Sequence, residues 1–250
     1  GYYTCSVFVD ISKAFDSVNR DLLLFKMNRY GIRGNIYNLI KSYLSGRKQF
    51  INHEKISSKL ITNNIGVPQG STLSPLFFLI LINDLKNSSN FNVINFADDT
   101  LLYLRFKNTD NINQQLNREL QKVKEWMDEN HLKINISKTK LMIFLPKTNI
   151  YRALKIELKL DNNQYIEQVL TYKYLGIIID QNLSWKAHVA SLTTKLSRAL
   201  GMLYKIRHYV KKSTLLIIFH SIFLTHVRYG ILCYGRADKQ YINKIEILLN

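Results

Sequence analysis

The sequence predicts an α+β fold with two parts, a mixed lobe over residues 1–180 and a basic, helical lobe over residues 181–250. Short apolar runs rich in β-branched residues alternate with helical patterns as far as Asp180, and only helical patterns follow it. The 250 residues are 46% hydrophobic and include only 10 glycines and 3 prolines, which leaves little material for linkers. A chain of this composition can bury a sizeable core.

The individual elements follow from hydrophobic periodicity and from the residues that start and end each pattern. Strands are predicted over residues 7–11, 47–52, 60–65, 141–145, 156–160, 164–166 and 172–180, and on both sides of a hairpin turn at Asp98-Asp99. A second hairpin turn is predicted at residues 161–163. Helices are predicted over residues 20–30, 36–44, 75–85, 112–127, 184–209 and 213–229, and from residue 238 onward.

Two of these helices carry further information. Ser74-Pro75 is a typical helix start with Ser74 as the N-cap, and the helix that follows is apolar on almost every side, which indicates burial. The glycine-rich loop at residues 66–71 can hold an anion together with this helix N-terminus, although such loops are more often simple turns. The helix over residues 112–127 has an apolar stripe that predicts core packing, namely Ile112, Leu116, Leu120, Val123 and Met127.

The charge is large and unevenly distributed. A formal net charge of +17 favours a polyanionic partner, nucleic acid before an acidic membrane surface. Residues 181–237 contain no Asp or Glu. The same stretch contains these lysines and arginines: Lys186, Lys195, Arg198, Lys205, Arg207, Lys211, Lys212, Arg228 and Arg236. We expect a surface formed by them to contact phosphates.

The two cysteines and the longest apolar runs argue against other classes of protein. Cys5 and Cys233 have apolar neighbours and no CxxC spacing, so we expect reduced core residues rather than a disulfide or a zinc site. The apolar runs at residues 76–82 and 215–219 are far shorter than the roughly 18 residues that a membrane-spanning helix needs.

The most informative stretch is Phe-Ala-Asp-Asp-Thr at residues 96–100, because a tight turn normally uses Asn-Gly or Asp-Gly instead of two aspartates. Two carboxylates about 4 Å apart repel each other by about 1 kcal/mol in water and about 4 kcal/mol at an effective dielectric constant of 20. A divalent cation would convert this repulsion into attraction. The alternative interpretation is a solvated acidic turn.

Asp10 is a third candidate carboxylate, because it lies at the end of the predicted strand at residues 7–11. If the strands are neighbours, Asp10, Asp98 and Asp99 converge and can hold two divalent cations about 3.5–4 Å apart, which activate an attacking hydroxyl and hold a leaving phosphate. Together with the basic lobe, this arrangement indicates phosphoryl chemistry on nucleic acid. The alternative is that Asp10 only caps the turn after the strand.

Five motifs in a fixed order resemble the palm of a reverse transcriptase, most closely that of non-LTR (LINE-type) retrotransposons. The motifs are Val-Asp-Ile-Ser-Lys-Ala-Phe-Asp at residues 9–16, Gly-Val-Pro-Gln-Gly-Ser at 66–71 with Ser74-Pro75 and Asn83-Asp84-Leu85, Phe-Ala-Asp-Asp at 96–99, Asn-Ile-Ser-Lys-Thr at 135–139, and Tyr-Leu-Gly at 174–176. The segment at residues 180–188 is similar to an extension of non-LTR elements.

The resemblance implies a polymerase palm, an antiparallel sheet with packed helices, followed by an α-helical thumb. It implies an RNA-directed DNA polymerase, in which a primer 3′-hydroxyl attacks the α-phosphate of a dNTP with the help of two Mg²⁺ ions, for which Mn²⁺ can substitute. The implied metal ligands are the carboxylates of Asp10, Asp98 and Asp99 and the backbone carbonyl of Ile11.

The resemblance also implies roles for residues around the nucleotide. Phe15 lies where the family has a steric gate against a ribose 2′-hydroxyl, and Gln69 would line the nucleotide pocket. Lys138, with Lys140 as the alternative, would lie near the triphosphate and protonate the leaving pyrophosphate.

Residues implied to hold the nucleic acid fall later in the chain. The primer grip would be Tyr174, Leu175 and Gly176. The thumb residues expected on the nucleic-acid backbone are Lys195, Arg198, Lys205 and Arg207. The expected partners are an RNA template, a DNA primer and dNTP, with no membrane and no obligate protein partner.

The chain starts at the first carboxylate motif, so we expect it to be a piece of a longer protein that lacks most of the fingers. Two alternatives follow: a catalytically incomplete remnant that only binds nucleic acid, and a maturase reverse transcriptase of the group II intron type. We expect a nuclear setting, because target-primed synthesis takes place on chromosomal DNA.

Overall fold

The computed structural model has the predicted α+β fold and describes residues 1–54, 56–145, 154–161 and 164–249. The strands in chain order are β1 (Tyr3–Val9), β2 (Lys48–Gln49), β3 (Asn52–His53), β4 (Ile56–Ser57), β5 (Ile61–Thr62), β6 (Asn92–Phe96), β7 (Asp99–Phe106), β8 (Lys140–Phe144), β9 (Leu158–Asp161), β10 (Gln164–Gln168), β11 (Thr171–Tyr174) and β12 (Ile177–Asp180). Residues 162 and 163 of the hairpin turn that the sequence predicts between β9 and β10 lie outside the described residues.

Helices make up most of the remainder. The α-helices are α1 (Arg20–Arg29), α2 (Gly34–Leu44), α3 (Ser74–Ile82), α4 (Ile112–Glu129), α5 (Lys186–Ile206), α6 (Lys212–Ile218), α7 (Thr225–Arg228), α8 (Ile231–Tyr234) and α9 (Lys239–Leu249). A 3-10 helix at Asn83–Asn87 follows α3, and a π-helical segment at Phe219–Leu224 joins α6 to α7. In the part of the chain that the structure describes, no helix combines the length and hydrophobicity needed to cross a membrane.

The chain divides into two compact units. The first comprises Gly1–Leu141 and Ala153–Gln168, and the second comprises Met142–Arg152 and Val169–Asn250. The second unit thus begins before Asp180, and the domain boundary predicted at that residue remains a prediction.

A six-stranded sheet has the strand order β6-β7-β1-β8-β10-β9. β7 runs antiparallel to both β1 and β6, and β10 runs parallel to β8. Every residue of β1 except Thr4 is buried, as expected for an inner strand. The strands predicted at residues 47–52 and 60–65 shorten to the two-residue strands β2 and β5, and the two-residue strands β3 and β4 form between them. The side chains of all four strands are exposed and have no core to pack against.

The helices of the first unit confirm part of the sequence analysis. The apolar stripe of α4 is buried along its whole length. Asn19 caps α1, because its side-chain oxygen accepts a hydrogen bond from the backbone N–H of Leu22 (3.0 Å). The expected burial of α3 on all sides is wrong, since Leu76 is 51% exposed and Leu79 is 39% exposed.

The predicted capping role of Ser74 is also wrong. The helix begins at Ser74 itself, whose hydroxyl donates a hydrogen bond to the carbonyl of Pro68 instead of capping the helix. This hydrogen bond ties the start of α3 to the glycine-rich loop that precedes it.

The second unit has its own core, formed around α5 by Val189, Leu192, Leu196, Ala199, Phe223, Val227, Tyr234 and Ile245. The single helix predicted over residues 213–229 is interrupted by the π-helical segment, and the residue at its N-cap position is Lys211 instead of Ser213. The single strand predicted over residues 172–180 is a hairpin of β11 and β12.

The cysteines are both free, but only one is in the core. Burial raises the pKa of the Cys5 thiol to about 12. Cys233 is exposed, which corrects the expectation of a core residue, because the short helix α8 buries the side chain of Tyr234 instead.

Arg20 holds three segments of the first unit together. Its buried guanidinium donates hydrogen bonds to the backbone carbonyls of Gly66 (2.8 Å), Leu44 (2.8 Å), Asn63 (2.6 Å) and Ile65 (3.0 Å). Burial, with a smaller contribution from the charge of Arg47, lowers the pKa of the Arg20 guanidinium. Arg20 therefore fastens the end of α2 and the glycine-rich loop to the start of α1.

Replacing Arg20 with methionine should lower the free energy of unfolding by roughly 3 kcal/mol, because it leaves several carbonyls without their charged donor. Urea unfolding measures this change. The matched control is Arg118→Met on the exposed face of α4, which should cost less than about 0.5 kcal/mol. Equal losses in the two variants would contradict the role assigned to Arg20.

Candidate functional site

The pairing of β1 with β7 brings two of the predicted carboxylates together. The antiparallel register pairs Val9 with Thr100, the last pair of the ladder. Asp10 follows Val9 and Asp99 precedes Thr100, so these two aspartates occupy the next opposed positions. Directly opposed residues of an antiparallel pair project to the same face of the sheet. The sequence predicts that the carboxylates converge if their strands are neighbours, and β1 and β7 are neighbours.

The turn between β6 and β7 differs by one residue from the prediction. Its central residues are Ala97 and Asp98, whereas Asp99 pairs with Phe96 as the first residue of β7. Ala97 has a φ of 54°, a left-handed conformation that costs an L-residue roughly 1–2 kcal/mol. The turn therefore keeps Asp98 at its tip and Asp99 on the strand, at the expense of backbone strain beside the acidic pair.

The three carboxylates influence each other electrostatically. Burial raises the pKa of Asp99, and the negative charges of Asp98 and Asp10 raise it further. Across the described residues, no three His, Cys, Asp or Glu side chains are already close enough to hold a metal ion together. The carboxylates thus repel one another, and their side chains are not yet close enough together to coordinate one metal ion.

A cavity of about 480 Å³ joins this cluster to the other predicted residues of the nucleotide site. Its lining includes Asp10, Asp98, Phe15, Gln69 and Lys138. All of them belong to the first unit. The structure therefore brings together side chains from motifs that are far apart in the sequence.

The two lysine candidates have different environments. Lys138 lines the cavity, and its Nζ lies 4.0 Å from Oδ2 of Asp10, although the 69% exposure of its side chain makes this a weak ion pair. Lys140 Nζ lies 2.6 Å from Oε2 of Glu167 and donates to the carbonyl of Ser137. Lys138 is thus the lysine that faces the carboxylates.

Backbone hydrogen bonds fix the segment around Asp10. The carbonyl of Asp10 accepts from Asn135 N–H (2.8 Å), and the N–H of Asp10 donates to Oγ1 of Thr139 (3.2 Å). Ile11 forms an isolated antiparallel bridge with Ile134. Since neighbouring residues of a strand direct their backbone groups to opposite sides, the carbonyl of Ile11 is directed away from residue 134. This orientation agrees with its predicted role as a ligand on the other side.

Phe15 and Gln69 are held in place by the close approach of two segments. Val67 N–H donates to the carbonyl of Phe15 (2.8 Å), and the Phe15 ring packs at a centroid distance of 5.4 Å against Phe78. A Cβ at Gly66 would lie only 2.7 Å from the backbone oxygen of Asp16, so this approach requires glycine.

Two residues of this region were missed by the sequence analysis as functional residues. The carboxylate of Asp16 accepts a hydrogen bond from Nε2 of Gln69 (2.9 Å), which orients the amide. Arg20 holds the same loop through its carbonyls. Asp16 is the last residue of the first carboxylate motif, and this position is the only feature of the sequence that indicates a functional role for it.

The residues predicted to grip nucleic acid lie in the second unit. Tyr174, Leu175 and Gly176 surround the turn of the β11–β12 hairpin. Lys195, Arg198 and Lys205 are exposed on α5, and their spacing of three and seven residues places them on one helix face. Arg207 follows α5, and its guanidinium carbon lies 3.9 Å from the ring centroid of Tyr204. That face of α5 is therefore positively charged.

Comparisons with known proteins agree with these observations. The RNA-directed DNA polymerase from mobile element jockey of Drosophila melanogaster is 27% identical over 258 residues, an alignment that covers 98% of this chain and 27% of that protein. The probable RNA-directed DNA polymerase from transposon X-element of the same species is also 27% identical, with 99% of this chain and 28% of that protein covered. The chain thus spans about a quarter of the length of these curated relatives.

A solved structure of telomerase from Candida albicans, in complex with a TWJ fragment of telomeric RNA, shares the fold. It is 12% identical with a TM-score of 0.50, and the match covers 98% of this chain and 46% of that one. The family model described as reverse transcriptase (RNA-dependent DNA polymerase) matches residues 1–179. Since this match includes the three carboxylates and more than half of the sequence, the chain belongs to the reverse transcriptase family.

Proposed function

We propose that this chain contains the polymerase site of an RNA-directed DNA polymerase of a non-LTR retrotransposon. The reaction is transfer of a nucleotidyl group from a dNTP to the 3′-hydroxyl of a primer. The observation that carries the proposal is the register of β1 and β7, whose last pair is Val9 with Thr100, so that Asp10 and Asp99 are the next residues along the two strands, beside a cavity that Asp10, Phe15, Gln69 and Lys138 line. The relatives of the chain, named as polymerases of mobile elements, support it.

The proposed cofactor is a pair of Mg²⁺ ions, for which Mn²⁺ can substitute. The donor set fits, because the cluster offers hard carboxylate oxygens, the carbonyl of Ile11 is directed away from its bridge partner, and the raised pKa of Asp99 indicates repulsion that a cation would relieve. Asp10, Asp98 and Asp99 would hold the ions. Such ions stabilise the attacking and leaving oxygens of a phosphoryl transfer when bound.

The other side chains of the cavity act on the nucleotide. The Phe15 ring, supported by Phe78, blocks the space that a ribose 2′-hydroxyl would need. The Gln69 amide donates to Asp16 through Nε2, which leaves its carbonyl oxygen available to the nucleotide. The Nζ of Lys138 donates a proton to the leaving pyrophosphate.

The second unit supplies the contacts with the RNA template and the DNA primer. Lys195, Arg198, Lys205 and Arg207 contact phosphates, a sequence-independent mode of binding that salt weakens. The hairpin turn at Tyr174, Leu175 and Gly176 supports the primer end. A nuclear setting is part of the same proposal, because the relatives belong to mobile elements.

A second candidate function is binding of nucleic acid without turnover. The absence of Asp and Glu from residues 181–237, together with the exposed bases of α5, favours it. The two candidates differ in whether the carboxylates act chemically, so substitution of a carboxylate separates them.

Asp98→Ala should abolish primer extension on a poly(rA)–oligo(dT) template with Mg²⁺ or Mn²⁺, because the loss of several kcal/mol of charge stabilisation slows the reaction by roughly a thousandfold or more. Template binding, measured by fluorescence anisotropy, should stay within about twofold. Asp110→Ala, in the exposed loop before α4, is the control. Equal loss of extension and binding would refute the catalytic role, whereas binding without extension by the unsubstituted chain would favour the second candidate.

Phe15→Val should raise the incorporation of ribonucleotides relative to deoxynucleotides by about tenfold to a hundredfold, because the smaller side chain leaves space for the 2′-hydroxyl. Steady-state incorporation of rNTP and dNTP, compared as kcat/KM, measures the ratio. Phe25→Val on the exposed side of α1 should leave the ratio unchanged. An unaltered ratio in Phe15→Val would exclude Phe15 as the gate.

Asp99→Asn should stabilise the chain relative to the unsubstituted protein as the pH rises. The folded-state pKa of Asp99 is raised, so its ionisation disfavours the folded state above that pKa and has no effect below the unfolded value of about 3.9. The difference in free energy of unfolding should therefore grow as the pH rises through about 3.9 and level off once the pH exceeds the raised folded-state pKa of Asp99.

Urea unfolding at several pH values and low salt, without divalent cations, measures this difference. Asp110→Asn, in the exposed loop before α4, is the matched control. Addition of Mg²⁺ should stabilise the unsubstituted chain more than Asp99→Asn, because bound ligand favours the folded state. A difference that does not depend on pH would rule out the repulsion.

A further inference from the structure

The turn of the β11–β12 hairpin has an unfavourable backbone conformation. Its two central residues are Leu175 (φ 46°) and Gly176 (φ +80°), between the last pair of the ladder, Tyr174 and Ile177. Positive φ at both central positions is typical of a type I′ turn, which favours Asn-Gly and disfavours a leucine. Other contacts must therefore hold Leu175 in this state.

Tyr229, at the end of α7, makes the contact that holds this turn. Its hydroxyl donates a hydrogen bond to the backbone carbonyl of Leu175 (2.6 Å). Its ring also lies against Gly176, where an added Cβ would be 3.2 Å from Cε1 of the tyrosine. Gly230 (φ +70°) packs so closely on the side chain of Ile177 that a Cβ there would collide with it. Residues 229 and 230 thus pack against the hairpin turn at residues 175–177.

The rest of the hairpin is fastened to α5 within the same unit. Ile178 N–H donates to Nδ1 of His188 (3.3 Å), a buried residue of α5. The carboxylate of Asp180 accepts from the backbone N–H groups of Asn182, Ser184 and Trp185 just before the helix. The hairpin is therefore fixed at its base as well as at its turn, where Tyr229 donates the hydrogen bond to the backbone.

The carbonyl that Tyr229 holds belongs to the central peptide of the turn, between Leu175 and Gly176. A flip of this peptide converts a type I′ turn into a type II′ turn and reverses the direction of the carbonyl and the N–H. The hydroxyl of Tyr229 stabilises one orientation by a short hydrogen bond. Loss of the hydroxyl would allow the other orientation while the ring keeps its contact with Gly176.

We propose that Tyr229 is a positioning residue for the primer, which acts by fixing the Leu175–Gly176 peptide. This inference rests on the proposed function, because it takes the turn at residues 174–176 as the support of the primer end. Tyr229 itself needs no contact with the reacting atoms. Its effect on the reaction is the placement of the 3′-hydroxyl, separate from the affinity for template and primer.

The test compares Tyr229→Phe with Tyr209→Phe, a tyrosine of the same unit that is 87% exposed. Tyr229→Phe should increase amide hydrogen exchange at residues 175–177 and lower kcat for primer extension, each by about fivefold to tenfold, as expected for the loss of one hydrogen bond. The dissociation constant of the primer–template duplex should stay unchanged, and the loss of this one exposed hydrogen bond should lower the urea unfolding midpoint only slightly. Tyr209→Phe should change none of these quantities.

A second readout makes the result independent of turnover. A 2-aminopurine at the 3′ end of the primer reports the surroundings of that base in the bound complex, so its fluorescence at saturation should differ between Tyr229→Phe and the unsubstituted chain. If the unsubstituted chain binds the duplex without extending it, the proposed function fails, and the fluorescence alone decides the positioning role. An unchanged fluorescence, or a kcat that falls only in proportion to lost stability, would overturn the inference.

Discussion

The antiparallel pairing of β1 with β7 is the constraint on which the site depends. Seven successive pairs, from Tyr3–Phe106 to Val9–Thr100, fix which residues face each other where the ladder ends. Hydrogen bonds and buried side chains distributed along both strands set this register. The repulsion among Asp10, Asp98 and Asp99 is small compared with the free energy that such a ladder and its buried side chains supply. The sheet can therefore hold three acidic groups in a place that they would otherwise avoid.

The residues around the carboxylates depend on a second kind of contact, backbone groups bound by side chains or by other backbone. Arg20 donates to four carbonyls, and the loop before α3 follows residues 15–18 closely enough to exclude a side chain at Gly66. Such contacts are specific in direction and do not depend on the identity of exposed side chains. The cavity beside the carboxylates therefore has a rigid wall, while Lys138 and Gln69 keep exposed side chains that can adapt to a ligand.

Much of the site could be predicted from sequence, because Asp10, Phe15, Gln69, Asp98, Asp99 and Lys138 occur in short runs whose chemistry and order are informative. The position of the acidic turn was wrong by one residue, because local propensity gives no reason for Ala97 to adopt a positive φ. Arg20 and Tyr229 escaped notice since their partners lie 24–46 and 54 residues away. The apolar composition of α3 suggested burial on every side, but composition alone cannot reveal that Leu76 and Leu79 face solvent.

The pairing of β1 with β7 also determines where the chain can accept insertions and deletions. Side chains alternate between the two faces of a strand, so one residue gained or lost within β7 would move every later side chain to the opposite face. An insertion between Thr100 and Phe106 would thus disrupt the match with β1. The two-residue strands β2, β3, β4 and β5 have exposed side chains, so residues added beside them meet solvent. Among related sequences of this fold, length should therefore vary around β2–β5 and stay constant in β1 and β7.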